Sequence, residues 1–330
     1  MRLTRLIAAA ALVAAAAPAR AFHREEVQGT PGRCLWWRTP SVTYRLNAAN
    51  ANTLGCASQA DAVALAQASF ATWGGAAFSG QPVCTSFGFA YGGPSTRIDT
   101  GYNDKGTNEN LVVWRRGLCT DVAPANDPCR AAGTCADTLN CWDHGAMTIG
   151  LTTTTYNSST GEILDADMEL FEHDADPTKD IGFWFTCAGP NSGPCGTTAG
   201  TPNPPTTTCV SMDLGSTITH EAGHMLGLDH NCDGPTGCQD ITATMYANAA
   251  LGETQKRDLR PDDVAGVCTI YPAGAAPSPS GGTGKSGTTC AELPTSSSGT
   301  KSGGCGLPAS PASAVLLLAL AGLARFVRRR

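Results

Sequence analysis

Residues 220–230 read HEAGHMLGLDH, and half of the chain's six histidines fall inside these eleven positions. Residues four apart on a helix lie on one face, one above the other. His220 and His224 can therefore offer two imidazoles to one ion. Glu221 sits about 100° further round the helix. It is not placed as a third ligand of that pair, but it can reach a water bound to the metal. Gly227 can take a positive φ, end the helix and turn the chain back, which would deliver His230. Three imidazoles with one open position is the catalytic form of zinc coordination. Unrelated histidines would match these five positions by chance at a frequency on the order of 10⁻⁴ in a chain of this length.

The motif resembles the long zinc motif of the metzincin proteases, H-E-x-x-H-x-x-G-x-x-H. Within that superfamily the chain resembles the matrixins. Met245-Tyr246 resembles their methionine turn, and Arg260-Pro261-Asp262-Asp263 through Tyr271 resembles their last helix. Val42 to Leu46 resembles their first strand, and Ala166 to Leu170 a strand just ahead of the active-site helix. The resemblance implies an α+β, metzincin-like zincin fold. Its parts would be a twisted, mostly parallel sheet with an antiparallel edge strand, an active-site helix, a methionine turn and a C-terminal helix. It also implies one catalytic zinc, held by His220, His224 and His230, with Glu221 as general base. The chain departs from the family at Asn231, usually serine, and at Ala247, where a proline lines the specificity pocket. The histidines of a second, structural zinc are missing, and no such zinc is expected.

The remaining sequence supplies the setting. The 330 residues are 42% hydrophobic and 15% charged, enough for a globular core. The net charge of −6 and the lack of a basic block before the last three arginines argue against nucleic acid as a partner. Residues 1–21 read as a secretory signal peptide: Arg2 and Arg5, an apolar run from Leu6 to Ala17, then Ala19-Arg20-Ala21. Fifteen cysteines fit an oxidising compartment. Pairing cannot be read from spacing; Cys232 with Cys238 is the best single guess. Cys34, in Pro31-Gly32-Arg33-Cys34, superficially resembles the cysteine that plugs the metal in matrixin zymogens, but a disulfide at Cys34 is the preferred reading.

Residues 22–272 form the expected catalytic domain. The Gly/Ser/Thr/Pro-rich stretch 273–304 is expected to be a flexible linker. In 305–330 come Cys305-Gly306, an apolar stretch from 312 to 324 and three arginines, an order that resembles myxobacterial-type C-terminal sorting tails. That resemblance implies processing or lipid modification at Cys305 and tethering to the envelope membrane. A monomer is expected.

Within the domain, a helix is expected over 58–73 and another over 214–226, capped by Asp213 or Ser216. A last helix should start at Pro261 and bury Val264, Val267 and Tyr271. Strands are expected around Val42–Leu46, Leu111–Trp114, Met147–Thr153 and Leu164–Leu170. Residues 187–209 should be a stapled surface loop. The strand holding Ile149, Gly150 and Leu151 is expected to pair with an extended peptide, its threonine run giving little sequence discrimination. Asp165, Asp167, Asp174 and Asp176 could hold calcium. Their alternation fits a solvated strand face, which is preferred, and no EF-hand spacing is present. The functional expectation is a secreted or surface-held zinc endopeptidase acting on protein or peptide substrates. The alternatives are an inactive binding or adhesion protein that keeps the fold, and a zinc enzyme with a non-peptide substrate. Glu221 favours the first over a retired enzyme.

Overall fold

Strand and helix form where the apolar period changes from two to about four. A computed structural model of the chain describes residues 22–51, 54–174, 179, 181–196, 207–231 and 240–292. After the short strand β1 (His23–Arg24), β2 (Ser41–Asn47) buries Val42, Tyr44 and Leu46 and leaves Ser41 and Thr43 outward. α1 (Gln59–Gly74) starts at Ser58, whose hydroxyl accepts from Asp61 N at 3.2 Å. It buries Ala62, Ala66, Phe70 and Trp73, one stripe of the helix. Phe70 stacks on Tyr44 with ring centroids 3.8 Å apart, which docks α1 on the sheet.

The main sheet adds β3 (Gly88–Pro94), β4 (Asn110–Arg116), β5 (Gly150–Tyr156) and β6 (Ile163–Glu172). Its order is β3-β2-β4-β6-β5. The first four strands run parallel, while β5 runs antiparallel to β6 at the edge. This is the expected α+β zincin arrangement. Three short helices, α2 (Cys119–Val122), α3 (Pro128–Ala132) and α4 (Cys135–Leu139), lie between β4 and β5. After β6 come β7 (Phe185–Thr186) and β8 (Met212–Asp213), a parallel pair. β8 runs directly into α5 (Leu214–Met225), which is followed by β9 (Leu228–Asp229), α6 (Pro261–Ile270) and β10 (Thr283–Gly284).

The outer face of β6 is not the solvated face its alternation suggested. Asp165, Asp167 and Glu169 are as buried as Ala166, Met168 and Leu170. The cover is the 95–109 loop and the α2–α4 insert, itself stapled by Cys119–Cys141 and Cys129–Cys135. Arg115 supplies the countercharge: Nε lies 2.7 Å from Glu169 Oε1 and a terminal nitrogen 3.2 Å from Asp137. His144 Nε2 is 3.0 Å from the other Glu169 oxygen. Burial pushes the Glu169 carboxyl up, but Arg115 and His144 outweigh it and hold its pKa at about 2. Asp167 accepts the backbone N–H groups of Gly101 and Leu111. Burial raises both Asp165, to about 6, and Asp167.

The linker expected from Ala273 does not begin there. Arg24 is fully buried and donates to the carbonyls of Ser278, Pro279, Ser280 and Gly281, and to Leu35. β10 pairs with β1, and Cys290 is bonded to Cys34. A segment too polar to fold alone is held because backbone carbonyls satisfy one buried guanidinium and a disulfide closes the loop. The folded body therefore runs to about residue 291. The other described disulfides are Cys56–Cys187, Cys84–Cys268 and Cys195–Cys209. Only the last lies wholly inside the expected 187–209 loop, since Cys187 reaches back to Cys56. The proposed Cys232–Cys238 pair, Asp176, Cys305, the signal peptide and the tail lie outside the described residues. No described helix is long and apolar enough to cross a membrane.

Candidate metal centre

α5 is buried on almost every side; of its twelve residues only Thr217 keeps partial exposure. The helix begins at Asp213, whose carboxylate accepts Ser216 N at 2.6 Å and is paired by Arg257. Asp213 is thus the cap, and Ser216 lies inside the first turn. His220 and His224 follow one turn apart with ring centroids 4.9 Å apart. Gly227 then takes φ +104° with Leu35 O only 2.8 Å from where a Cβ would sit, so no other residue turns here without displacing the backbone. β9 pairs with β1, and Asp229 accepts His230 N at 2.7 Å. These contacts bring His230 back beneath the helix.

One nitrogen of each of the three imidazoles lies within 4.8 Å of the others, and all three rings are buried. The far nitrogens are anchored for two of them. His220 Nδ1 donates to Thr244 O at 2.6 Å, and His224 Nδ1 to Leu228 O at 2.8 Å. This fixes which nitrogens face one another; His224 Nε2 and His230 Nε2 are 3.3 Å apart. Burial, aided by neighbouring cationic groups, lowers the pKa of His220 and His230 well below the usual value and keeps them neutral. Burial also disfavours the imidazolium of His224, but the carboxylates of Glu25, Glu221 and Asp229 overcome it and lift that pKa to about 9. Three buried neutral-capable imidazoles with nitrogens converging at this range fit a zinc ion.

Met245 lies under the site. A Cβ on Gly223 would fall 2.2 Å from Met245 Sδ and 2.8 Å from Trp73, so the glycine of HEAGH is what lets the turn approach the helix. Asp263 holds the turn from the other side. Its carboxylate accepts Thr244 N at 2.9 Å and Met245 N at 3.1 Å, and also caps α6 through Arg260 N at 2.8 Å. In the sequence Asp263 is legible only as part of the expected last helix; its link to the methionine turn has no local signal.

Glu221 faces β5. Thr152 Oγ1 lies 2.8 Å from Glu221 Oε2 and 3.1 Å from its backbone oxygen. A Cβ on Gly150 would sit 3.1 Å from the same carboxylate. Burial raises the Glu221 pKa, while His224 and Thr152 pull against that shift. The threonine run is therefore not a bland substrate surface: Thr152 and Thr154 point inward at buried carboxylates. Leu151, on the opposite face, packs with Trp142 and Phe171 and does not meet the cleft. The strand also starts later than expected, at Gly150, leaving Met147 exposed before it.

A cleft opens beside His220 and Glu221. One wall is Met147, Ile149 and Gly150; the other is Ala247, Ala250 and Lys256. Lys256 is almost fully buried, donates to the carbonyls of Tyr246 and Asn248, and is lowered to about 8 by desolvation.

Residues 141–272 match the Matrixin family model. That stretch contains the three histidines, Glu221, Met245 and α6. The chain is also 44% identical over 62 residues to Metalloendoproteinase 1-MMP of Arabidopsis thaliana. The similar region is 19% of this chain and spans only 15% of the relative's length. The matched segment is matrixin-like, and the family's zinc chemistry agrees with the donor set found here.

Proposed function

We propose that this chain is a secreted zinc endopeptidase that hydrolyses peptide bonds in extended protein segments. The observation that carries the reading is the convergence of His220, His224 and His230 with Glu221 beside them and a cleft alongside. Zinc held by the three imidazoles would supply Lewis-acid chemistry and acidify a coordinated water. Glu221 takes the proton of the attacking water and delivers it to the leaving amine. Thr152 keeps that carboxylate aimed at the cleft. The edge of β5 that no other described strand pairs takes the substrate backbone, and the cleft between Ile149 and Ala247 receives a side chain. Disulfides and the matrixin likeness support an extracellular setting, and the order of features around Cys305 supports tethering at the envelope.

The test uses the purified full chain. It should bind about one zinc, cleave an unfolded protein, and lose cleavage on chelation. Glu221→Gln should retain zinc and lose on the order of 10²–10⁴-fold in rate. Undiminished cleavage by that variant would overturn the mechanism. Zinc binding without cleavage in the wild type would favour the inactive binding protein.

A further inference from the structure

Glu25 has no solvent exposure, and it belongs to the N-terminal segment rather than to the motif. β1 and the Glu26–Cys34 bridge hold this segment against β9. Glu25 N donates to Gly227 O at 3.0 Å, at the very turn that ends the active-site helix. The side chain then runs behind His224. Oε1 lies 3.3 Å from His224 Nδ1, and Oε2 lies 3.2 Å from Thr154 Oγ1. Oε1 forms no hydrogen bond, since His224 Nδ1–H is directed at Leu228 O, and the 3.3 Å approach is an electrostatic contact. Among the described residues no lysine or arginine pairs with Glu25. The adjacent Arg24 is turned to the carbonyls of 278–281, and Lys285 pairs with Asp229.

A buried carboxylate without a cation is costly to fold around. Its nearest ionisable neighbour is the His224 imidazole, whose other nitrogen faces the metal position, while Asp229 adds a like charge close by. A carboxylate behind a ligating imidazole fixes the ring and strengthens its donor nitrogen, and removing such a partner typically weakens metal binding 10–100-fold.

We propose that Glu25 is a positioning residue for the zinc site: from the N-terminal strand it orients His224 and places a negative charge behind it that the bound cation offsets. The proposal rests on the zinc reading above. It separates two effects that a purely structural residue would link. Removing the charge at constant shape should weaken zinc binding. The same change should leave the zinc-free fold close to wild-type stability, because Gln keeps the shape of the side chain and the strand keeps its backbone contacts.

Glu25→Gln in the full chain tests this, with zinc affinity read by competition against a chelator at pH 8 and Tm measured on zinc-free protein. The expected result is a 10–100-fold weaker zinc complex with a zinc-free Tm close to that of wild type. Thr154→Val, which leaves the charge in place, should stay within about threefold of wild-type affinity, well short of that charge effect. Wild-type affinity in Glu25→Gln would overturn the proposal. So would failure of that variant to fold, a lowered zinc-free Tm, or an equal loss in Thr154→Val. A wild-type chain that binds no zinc would instead overturn the functional reading itself.

Discussion

Thr152 on the sheet edge and Glu221 on α5 are joined at 2.8 Å, hydroxyl to carboxylate. The bond ties the strand that would pair with substrate to the group that would move the proton. A hydrogen bond to a charged group is worth about 1.5–3 kcal/mol. Thr152→Val keeps the β-branched shape and removes the donor. Its kcat should fall about 10–100-fold with zinc content unchanged. Steady-state kinetics beside metal analysis checks this; a variant with normal kcat would show that Glu221 is aimed by other contacts.

Gly223 is the tightest point under the metal centre. Gly223→Ala puts a methyl group into the Met245 sulfur and the Trp73 ring. Overpacking of this kind costs about 1–3 kcal/mol and shifts backbone. The variant should melt lower and bind zinc more weakly, both visible in a metal-dependent Tm series. Wild-type values in both would mean that the methionine turn has room to retreat.

The acid pair on β6 sets a pH dependence of stability. Asp165 has a folded pKa of about 6, above its ordinary value, because burial penalises its charge. The folded state therefore holds its proton more tightly than the unfolded state. The stabilisation is fully present below about pH 4 and is lost as pH rises through about 6. Asp165→Asn should raise stability at pH 7 by about 1–3 kcal/mol and flatten the curve between pH 4 and 6. Denaturant titrations across that range decide it; a wild-type curve that climbs from pH 4 to 6 would contradict the assignment.

Arg115 is the countercharge for the neighbouring Glu169. Arg115→Met leaves that carboxylate buried with His144 alone. Breaking one side of a buried pair costs about 3–5 kcal/mol. The loss should appear in chemical unfolding, and restoring stability with Glu169→Leu in the double variant would confirm the pairing.

Ending the chain at Pro272 removes every acceptor of Arg24 in 278–281 and leaves Cys34 unpaired. Such a truncation should fold poorly, while one ending at residue 292 should match the full chain in Tm. Equal stability of the two would show that the return segment contributes nothing.

What was legible in the sequence was local. HEAGHMLGLDH carries its own helix, turn and donor spacing, and the Ser58, Asp213 and Pro261 helix starts are written in neighbouring residues. What was hidden depended on partners far along the chain. The alternation of Asp165, Asp167 and Glu169 says which face they share, but not that an insert from 117–141 would cover it. Glu25 sits in an unremarkable His-Arg-Glu-Glu run and gains its role only because β1 pairs beside Gly227. The Gly/Ser-rich stretch after 272 looks unable to fold by composition, and Cys290 was its one sign of attachment. In β5, Gly150 and Thr152 share the helix side and Leu151 faces away, a division that depends on where α5 packs.

The bond between Cys34 and Cys290 also decides where mechanical load enters this molecule. A pull exerted through residue 293 and beyond reaches the body at Cys290 and passes to the N-terminal segment, bypassing α6. A nick anywhere between 273 and 289 leaves both pieces covalently joined. Only a cut beyond Cys290, or reduction of that bridge together with a nick, separates the body from the part of the chain that follows Cys290.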